Sequence, residues 1–395
     1  MHYTDYGWYS TYSKMQKKDI GKLSLALHKK LGGKIRTGLP MQIKNRDDLS
    51  LLYTPGVGAV STYVATHKDQ ARLYTIKGKM IAVISDGSAV LGLGNIGPEG
   101  ALPVMEGKAA LFKAFADVDA FPIVLSTQDT DEIVETIARI APTFAGINLE
   151  DFSAPRCFEI EDRLKARLDI PVMHDDQHGT AIAVTAGLMN AAKVVKKKFE
   201  NLQVVISGAG AAGTAIAKLL LKAGVKHIVI LDSKGIVHHA RTDLNGHKKE
   251  LAQLTSRYHK RSGDLNDALK GADVVIGVSG PRLLTAEHIT LMGKNPIVFA
   301  LANPVPEIMP EEAKRGGAAV VASGRSDYPN QINNSLVFPG VFRGALDHGV
   351  KKITDEMKLK AAKNLASMIK KPTKEKIVPG PFDKGVVATV AKAIK

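Results

Sequence analysis

The chain has one cysteine, Cys157, in 395 residues. An intrachain disulfide is therefore impossible, which points to a reducing, cytoplasmic location. No base partner lies near Cys157 in the sequence, so a structural thiol is expected. Acidic residues are in deficit, 39 Asp and Glu against 54 Lys and Arg, for a formal charge of +15. That excess suits anionic metabolites and nucleotides. The basic residues are spread out and not interleaved with aromatics, which make up only 5% of the chain. A nucleic-acid partner is not expected. No run reaches about 18 apolar residues, and the first residues lack an apolar signal core. Neither secretion nor a membrane span is expected. Internal repeats and low-complexity segments are absent.

What is present is a globular composition, 45% hydrophobic and 24% charged, over a length that suggests two domains. The few aromatics concentrate in Tyr3, Tyr6, Trp8, Tyr9 and Tyr12, as in an arm that packs on a partner subunit. After a helix predicted over Ile20–Leu31, strand-like and helical segments alternate. Strands are predicted at 79–85, 120–125, 144–149 and 170–173, then at 202–207, 227–231, 272–277, 296–300 and 318–323. The pattern predicts an α/β protein: an N-terminal α/β domain with a parallel sheet, and a doubly wound nucleotide-binding domain of Rossmann type. The expected divisions are residues 1–176, 177–338 and a helical segment 339–395 that covers the core.

Two apolar runs end in carboxylates, Glu150 and Asp151 on one, Asp175 and Asp176 on the other. Ligands of open α/β sheets bind outside the carboxyl ends of strands, so these acids are expected to share one crevice. Crowded carboxylates repel, and a hard divalent cation would relieve them; helix caps or solvated loop charges are the alternative. His174 and His178 lack the Glu of a zinc motif and precede Gly179-Thr180, read as the turn into a long apolar helix expected from Thr180 to Val195, so zinc is not expected. Tyr53 precedes the rigid corner at Pro55 and either packs or acts as an acid. A helix expected at Met105–Asp117 places Lys108 in its first turn, where it is either a solvated surface lysine or a base whose pKa positive potential lowers. Gly92-x-Gly94-x-x-Gly97 is a poor dinucleotide fingerprint, because Pro98, Gly100 and Pro103 follow where a helix should run.

The second glycine motif meets every requirement. Gly208-Ala209-Gly210-Ala211-Ala212-Gly213 follows a strand, opens a helix, and precedes a strand ending in Asp232. Its glycines serve the turn, the approach to pyrophosphate and close helix packing. Asp232 is placed to accept from a ribose 2′-OH, which favours NAD. NADP stays open, since Ser233, Lys234 or Arg241 could receive a phosphate. Asn303 is expected toward the nicotinamide end or in a turn before Pro304, and Asn330–Asn334 forms an amide cluster.

Taken together, Tyr53-Thr-Pro-Gly-Val, Glu106-Gly-Lys108, Asn148-Leu-Glu150-Asp151-Phe, Asp175-Asp176-x-x-Gly-Thr, the Gly208 motif with Asp232, Asn303-Pro, and Asn333-Asn334 with Phe338-Pro-Gly resemble malic enzymes of the short prokaryotic type. The resemblance implies oxidative decarboxylation of L-malate to pyruvate and CO2, reduction of NAD(P), a Mg²⁺ or Mn²⁺ requirement and a homodimer. It implies Glu150, Asp151 and Asp176 as metal ligands, Lys108 as general base, Tyr53 as general acid and Asp175 as a supporting carboxylate. Asn303 and Asn334 would contact cofactor and substrate. Larger members carry an arginine before the LGLG segment where this chain has Ser88-Ala89-Val90, so malate's carboxylate must be held by other groups. A malolactic enzyme that retains its nicotinamide, and a non-catalytic nucleotide-binding sensor, are the competing readings.

Overall fold

A computed structural model describes residues 20–255 and 261–395. They belong to two compact units, one ending at Gln42 and one spanning Ile43–Lys395. In the first, helix α1 covers Ile20–Leu31, the span its sequence predicts. The aromatic arm lies outside the described residues.

The second unit opens with α2 (Arg46–Leu52) and α3 (Gly56–Thr66), neither with a buried residue. Asn45 caps α2 by accepting from the Asp48 N–H at 2.8 Å. A parallel sheet follows, made of β1 (Met80–Ser85), β2 (Asp119–Val124), β3 (Gly146–Leu149) and β4 (Val172–His174) in the order β2-β1-β3-β4. Its crossovers run through α4 (Gly97–Ala116), α5 (Thr130–Ile140) and α6 (Arg156–Arg167). The strands read as unbroken apolar runs because helices cover the sheet. Ala82, Ile84, Ile147 and Leu149 are buried in one cluster with Ile133, Ile137, Ile160 and Leu164 of the helices. Each buried Ile or Leu contributes roughly 1.5–3 kcal/mol, so apolar burial sets where the sheet's charged ends come to lie. The chain leaves β1 for β2, then returns past β1 to β3, and the crevice opens at that reversal.

Helix α7 (Asp175–Val194) leads from this sheet to the second one. The second sheet contains β5 (Gln203–Ser207), β6 (His227–Asp232), β7 (Gly235–Ile236), β8 (Val274–Gly277), β9 (Ile297–Ala300) and β10 (Val320–Ser323). Their order is β10-β9-β8-β5-β6-β7. All neighbours are parallel except β7 on β6. In chain order this is the doubly wound 3-2-1-4-5-6 arrangement, with its switch point between β5 and β8. Around it lie α8 (Ala211–Lys222) and α9 (Gly246–Thr255), and further along the chain come α10 (Phe338–His348), α11 (Asp355–Ser367) and α12 (Val386–Ala391). No described helix is long and apolar enough to cross a membrane.

Two helix starts differ from the sequence reading. Helix α4 begins at Gly97 and not at Met105, because Pro98 occupies the first turn, where no helical N–H is lost, and Pro103 is accommodated inside. Lys108 is therefore in the helix interior, and the first-turn dipole argument does not apply to it. Helix α7 begins at Asp175 and not at Thr180. Gly179 sits inside it because a Cβ there would come within 2.0 Å of Asp175 Oδ1 and 2.9 Å of Asn334 Cβ.

Candidate active site

The acids meet at the ends of adjacent strands. Glu150 and Asp151 follow β3, Asp175 and Asp176 open α7, and one oxygen each from Glu150, Asp151 and Asp176 lies within 4.8 Å of the others. Asp151 has a left-handed backbone, φ 57°. It is held there by its N–H on Asp176 Oδ2 at 2.8 Å and by the Ala89 N–H on its carbonyl at 2.9 Å. The Leu91 N–H reaches Asp151 Oδ1 at 3.4 Å, while Asp151 Oδ2 is buried with no hydrogen-bond partner. Burial, then Asp176, pushes the Asp151 carboxyl up to about 8. Burial likewise raises Glu150 well above the carboxylate range, against the pull of Lys108. Three convergent carboxylates, one of them with an orphaned oxygen, fit a hard divalent cation. His174 is buried with both ring nitrogens unpartnered, 3.9 Å from Asp176 Oδ2.

Lys108 is buried between two carboxylates. Its Nζ is 2.8 Å from Glu150 Oε1, 2.5 Å from Asp175 Oδ2 and 4.3 Å from the centre of the Phe338 ring. Burial pulls its pKa down, but Asp175, Glu150 and Asp176 outweigh it and hold the ammonium above its usual range. The reading of a lysine lowered by positive potential does not describe this environment, which is anionic; nor is Lys108 a solvated surface lysine. Burial moves Asp175 up to about 6 in spite of Lys108.

Asn334 packs beside Gly179 and Asp175. Asn303 follows β9, and the Gly92 loop comes so close that a Cβ on Gly92 would lie 2.2 Å from the Asn303 carbonyl. Gly92 thus serves a backbone approach, while Gly94 and Gly97 have positive φ and meet nothing within 4 Å. Asn330 is structural: it donates to the Val321 carbonyl at 3.0 Å and the Lys374 carbonyl at 2.6 Å, and accepts from the Ile377 N–H at 2.9 Å. Tyr53 is not gathered with the others. It stands at the end of α2, 65% exposed, with no side-chain hydrogen bond among the described residues.

Sequence reasoning missed Glu161. Its Oε1 accepts from the His174 N–H at 2.8 Å and pairs with Lys165 at 2.8 Å, and its Oε2 lies 2.9 Å from His178 Nε2. Lys358 Nζ sits 3.0 Å from His178 Nδ1. An ammonium can only donate, so Nδ1 is the acceptor and Nε2 carries the proton toward Glu161. The signal was there: Glu161 shares the buried face of α6 with Cys157, Ile160 and Leu164, a stripe where a carboxylate needs partners. Cys157 itself is a buried thiol that burial pushes up to about 12, as its structural reading requires.

The Gly208 motif has the form of a phosphate cradle. Gly208 has φ +125°, and its Cβ would lie 2.7 Å from the Val278 carbonyl at the switch point. A Cβ on Gly213 would come within 1.8 Å of the Gly208 carbonyl, while one on Gly210 would meet nothing within 4 Å. Open backbone at the start of α8 is what a pyrophosphate needs. Ala209, Ala211 and Ala212 supply small side chains between these glycines. Asp232, at the end of β6, is not a bare carboxylate: Arg241 and Lys248 hold it, and despite its burial it stays near 2.

Comparison with known proteins agrees with this geometry. The family profile described as malic enzyme, N-terminal domain, matches residues 33–165, and that described as malic enzyme, NAD binding domain, matches residues 177–392. An NAD-dependent malic enzyme of Geobacillus stearothermophilus is 55% identical over 92% of this chain and 76% of its own. A bifunctional malic/malolactic enzyme of Bacillus subtilis is 52% identical over 94% of this chain and 91% of its own. The crystal structure of an NAD-dependent malic enzyme from Thermotoga maritima superposes with a TM-score of 0.90 at 51% identity, covering 94% of this chain and 98% of that one. With both profiles matched in sequence order and the acid cluster and glycine cradle in place, the chain belongs to the malic enzyme family.

Proposed function

We propose that the chain catalyses the oxidative decarboxylation of L-malate to pyruvate and CO2, with NAD or NADP as hydride acceptor and Mg²⁺ or Mn²⁺ as cofactor. The observation that carries this reading is the buried amine of Lys108 between Glu150 and Asp175, beside an acid trio with an orphaned oxygen. Glu150, Asp151 and Asp176 would hold the cation, and the segment Gly208–Gly213 with Asp232 and Asn303 would hold the nucleotide. When bound, the cation would supply electron withdrawal from malate and the nucleotide would supply the hydride acceptor. Lys108 would take the C2 hydroxyl proton, with a cation at Glu150, Asp151 and Asp176 offsetting the acids that hold its ammonium above the usual range. Asn334, packed against the start of α7, orients malate. Tyr53 protonates C3 of the enol product.

Tyr53 lies among exposed apolar residues of α2 and α3, including Leu49, Leu51, Leu52, Val60 and Tyr63. A homodimer that covers this face would take the phenol out of water, where it can act as an acid. The proposed divisions are residues 1–176 for malate and cation, 177–338 for the nucleotide and 339–395 as a covering segment. This function needs no nucleic-acid or membrane partner and suits a cytoplasmic enzyme.

The 52% identity to a relative named as a bifunctional malic/malolactic enzyme supports a second reading, conversion of malate to lactate with retained nucleotide. One assay separates them: malate with Mn²⁺ or Mg²⁺ and NAD or NADP, followed at 340 nm with product identified. Reduced nucleotide and pyruvate in equal amounts are expected. Lactate without net reduction would favour the second reading, and no malate consumption would favour a non-catalytic nucleotide binder.

A further inference from the structure

The carboxylate at the end of β6 is the group that, in a dinucleotide site of this topology, accepts the adenosine ribose 2′-OH and repels a 2′-phosphate. In this chain both of its oxygens are already occupied. Asp232 Oδ1 accepts from Arg241 Nη1 at 2.8 Å and from the Lys234 N–H at 2.9 Å. Oδ2 accepts from Arg241 Nη2 at 3.2 Å and from Lys248 Nζ at 2.6 Å. An ionised carboxylate offers about four lone-pair sites, and four donors fill them. A ribose hydroxyl therefore finds no open acceptor on Asp232 unless one of these partners leaves.

The charge around Asp232 points the same way. Arg241 is clamped between two carboxylates, since its other edge donates to Asp243 at 2.9 and 2.8 Å, and Lys234 Nζ pairs with Asp243 at 3.0 Å. The cluster thus sets three cations, Arg241, Lys248 and Lys234, against two carboxylates. Its net charge is positive where a site selective for an unphosphorylated ribose keeps a bare negative charge. The Lys248 side chain is 29% exposed and spends one of its three donors on Asp232, so it keeps donors for an anion. Arg241 is the more buried of the two, its side chain 12% exposed, and serves to fix Asp232 in place.

We infer that the adenosine end of the nucleotide site accepts a 2′-phosphate, with Lys248 as the specificity-determining residue and Arg241 as the positioning residue that masks Asp232. The chain therefore uses NADP as well as NAD. This rests on the proposed nucleotide site and adds the class of ligand it takes. It also revises the expectation, drawn from Asp232 alone, that NAD is favoured.

The test is direct binding by calorimetry of ADP and 2′,5′-ADP to the purified full-length protein, with kcat/KM for NAD and NADP measured beside it. The wild type is expected to bind 2′,5′-ADP at least as tightly as ADP, to within about threefold. Lys248→Ala should lower the ratio of 2′,5′-ADP to ADP affinity by about tenfold or more, Lys248→Arg should preserve it, and the NADP to NAD ratio of kcat/KM should follow. Wild-type discrimination of about tenfold or more against 2′,5′-ADP, or a ratio unmoved by Lys248→Ala, overturns the inference while ADP binding keeps the nucleotide site intact. Failure to bind either compound overturns the nucleotide site itself, and the inference with it.

Discussion

Replacing Glu161 by Gln keeps the shape of a buried side chain and removes its charge. The carboxylate accepts on both oxygens, from the His174 N–H and Lys165 on one and from His178 Nε2 on the other. A Gln amide has one acceptor, so its NH2 must face either the His174 N–H or the His178 N–H. One buried donor is then unsatisfied, at about 1–3 kcal/mol, and the remaining bond becomes neutral, at roughly 1 kcal/mol more. Lys165, 26% exposed, can turn into water and adds little. The sum is about 2–4 kcal/mol, or roughly 3–6 °C in apparent Tm for a chain of this size. Thermal unfolding followed by circular dichroism measures it. The effect should depend on pH. Burial pushes Glu161 up, but His178, Lys165 and Lys358 more than reverse this and hold it well below the usual range. A depressed acid contributes stability above its unfolded pKa, about 4.3, and loses it as pH falls through the folded value. The gap between wild type and variant should therefore be full at neutral pH, begin to narrow below about pH 4.3 and close only below the folded value. Because the His174 N–H marks the point where β4 hands over to α7, Mn²⁺ binding at Asp176 should also weaken. A Tm within about 1 °C of wild type, with unchanged Mn²⁺ affinity, would refute the reasoning.

Lys108→Arg keeps the positive charge but puts a planar, larger group into a site 7% exposed; turnover should fall by about 10² or more, and retention of a tenth of wild-type activity would exclude Lys108 as base. Tyr53→Phe should lower kcat by about 10²–10⁴ while Tm moves little, because the side chain is largely exposed; equal loss of Tm would mean the phenol is structural. Gly213→Ala drives a Cβ to within 1.8 Å of the Gly208 carbonyl and should cost about 1–3 kcal/mol or more together with ADP binding, read by thermal shift with and without ADP. Asp151→Asn replaces the orphaned Oδ2 by a donor beside Glu150 and Asp176; it should stabilise the protein in EDTA by about 1–3 kcal/mol and abolish stabilisation by Mn²⁺, and a loss of stability in EDTA would show that the oxygen has a partner.

The fold was legible where chemistry is periodic. The parallel strands of both sheets are short, mainly apolar runs, and such runs can be placed from sequence because strands covered on both faces carry little polar pattern. The two-residue β7 was invisible, since Gly235–Ile236 carries no pattern at all. Helix starts were misread at Gly97 and Asp175 because Pro98, Pro103 and Gly179 look like breakers; the first occupies a tolerant N-terminal position, and Gly179 is required by contact with Asp175 and Asn334. In the site, the convergence of Glu150, Asp151 and Asp176 followed from their places at strand ends. The sign of the potential at Lys108 did not, because it depends on Asp175 and Glu150 reaching across from β3 and α7. Masking of Asp232 was equally hidden: Arg241 and Lys248 lie 9 and 16 positions away, the first in the segment between β7 and α9 and the second on α9.

The charge at the centre of the site argues for what the sequence alone left open. Four carboxylates, Glu150, Asp151, Asp175 and Asp176, surround one ammonium, Lys108. Three of these acids and the ammonium are buried, so water cannot offset the imbalance. Lys108 touches Glu150 and Asp175, can offset only one of their two charges, and makes no ion pair with Asp151 or Asp176. Among the described residues, the link between them is the Asp151 N–H on Asp176 Oδ2, which joins backbone to carboxylate and cancels no charge. Helix caps would have engaged these oxygens with N–H groups of their own helix, and solvated loop charges would have been exposed; Asp151 Oδ2 does neither. The apolar burial of β1, β3 and their covering helices is large enough to hold such a cluster together. This imbalance at the carboxyl ends of the strands supports the proposed cation at Glu150, Asp151 and Asp176.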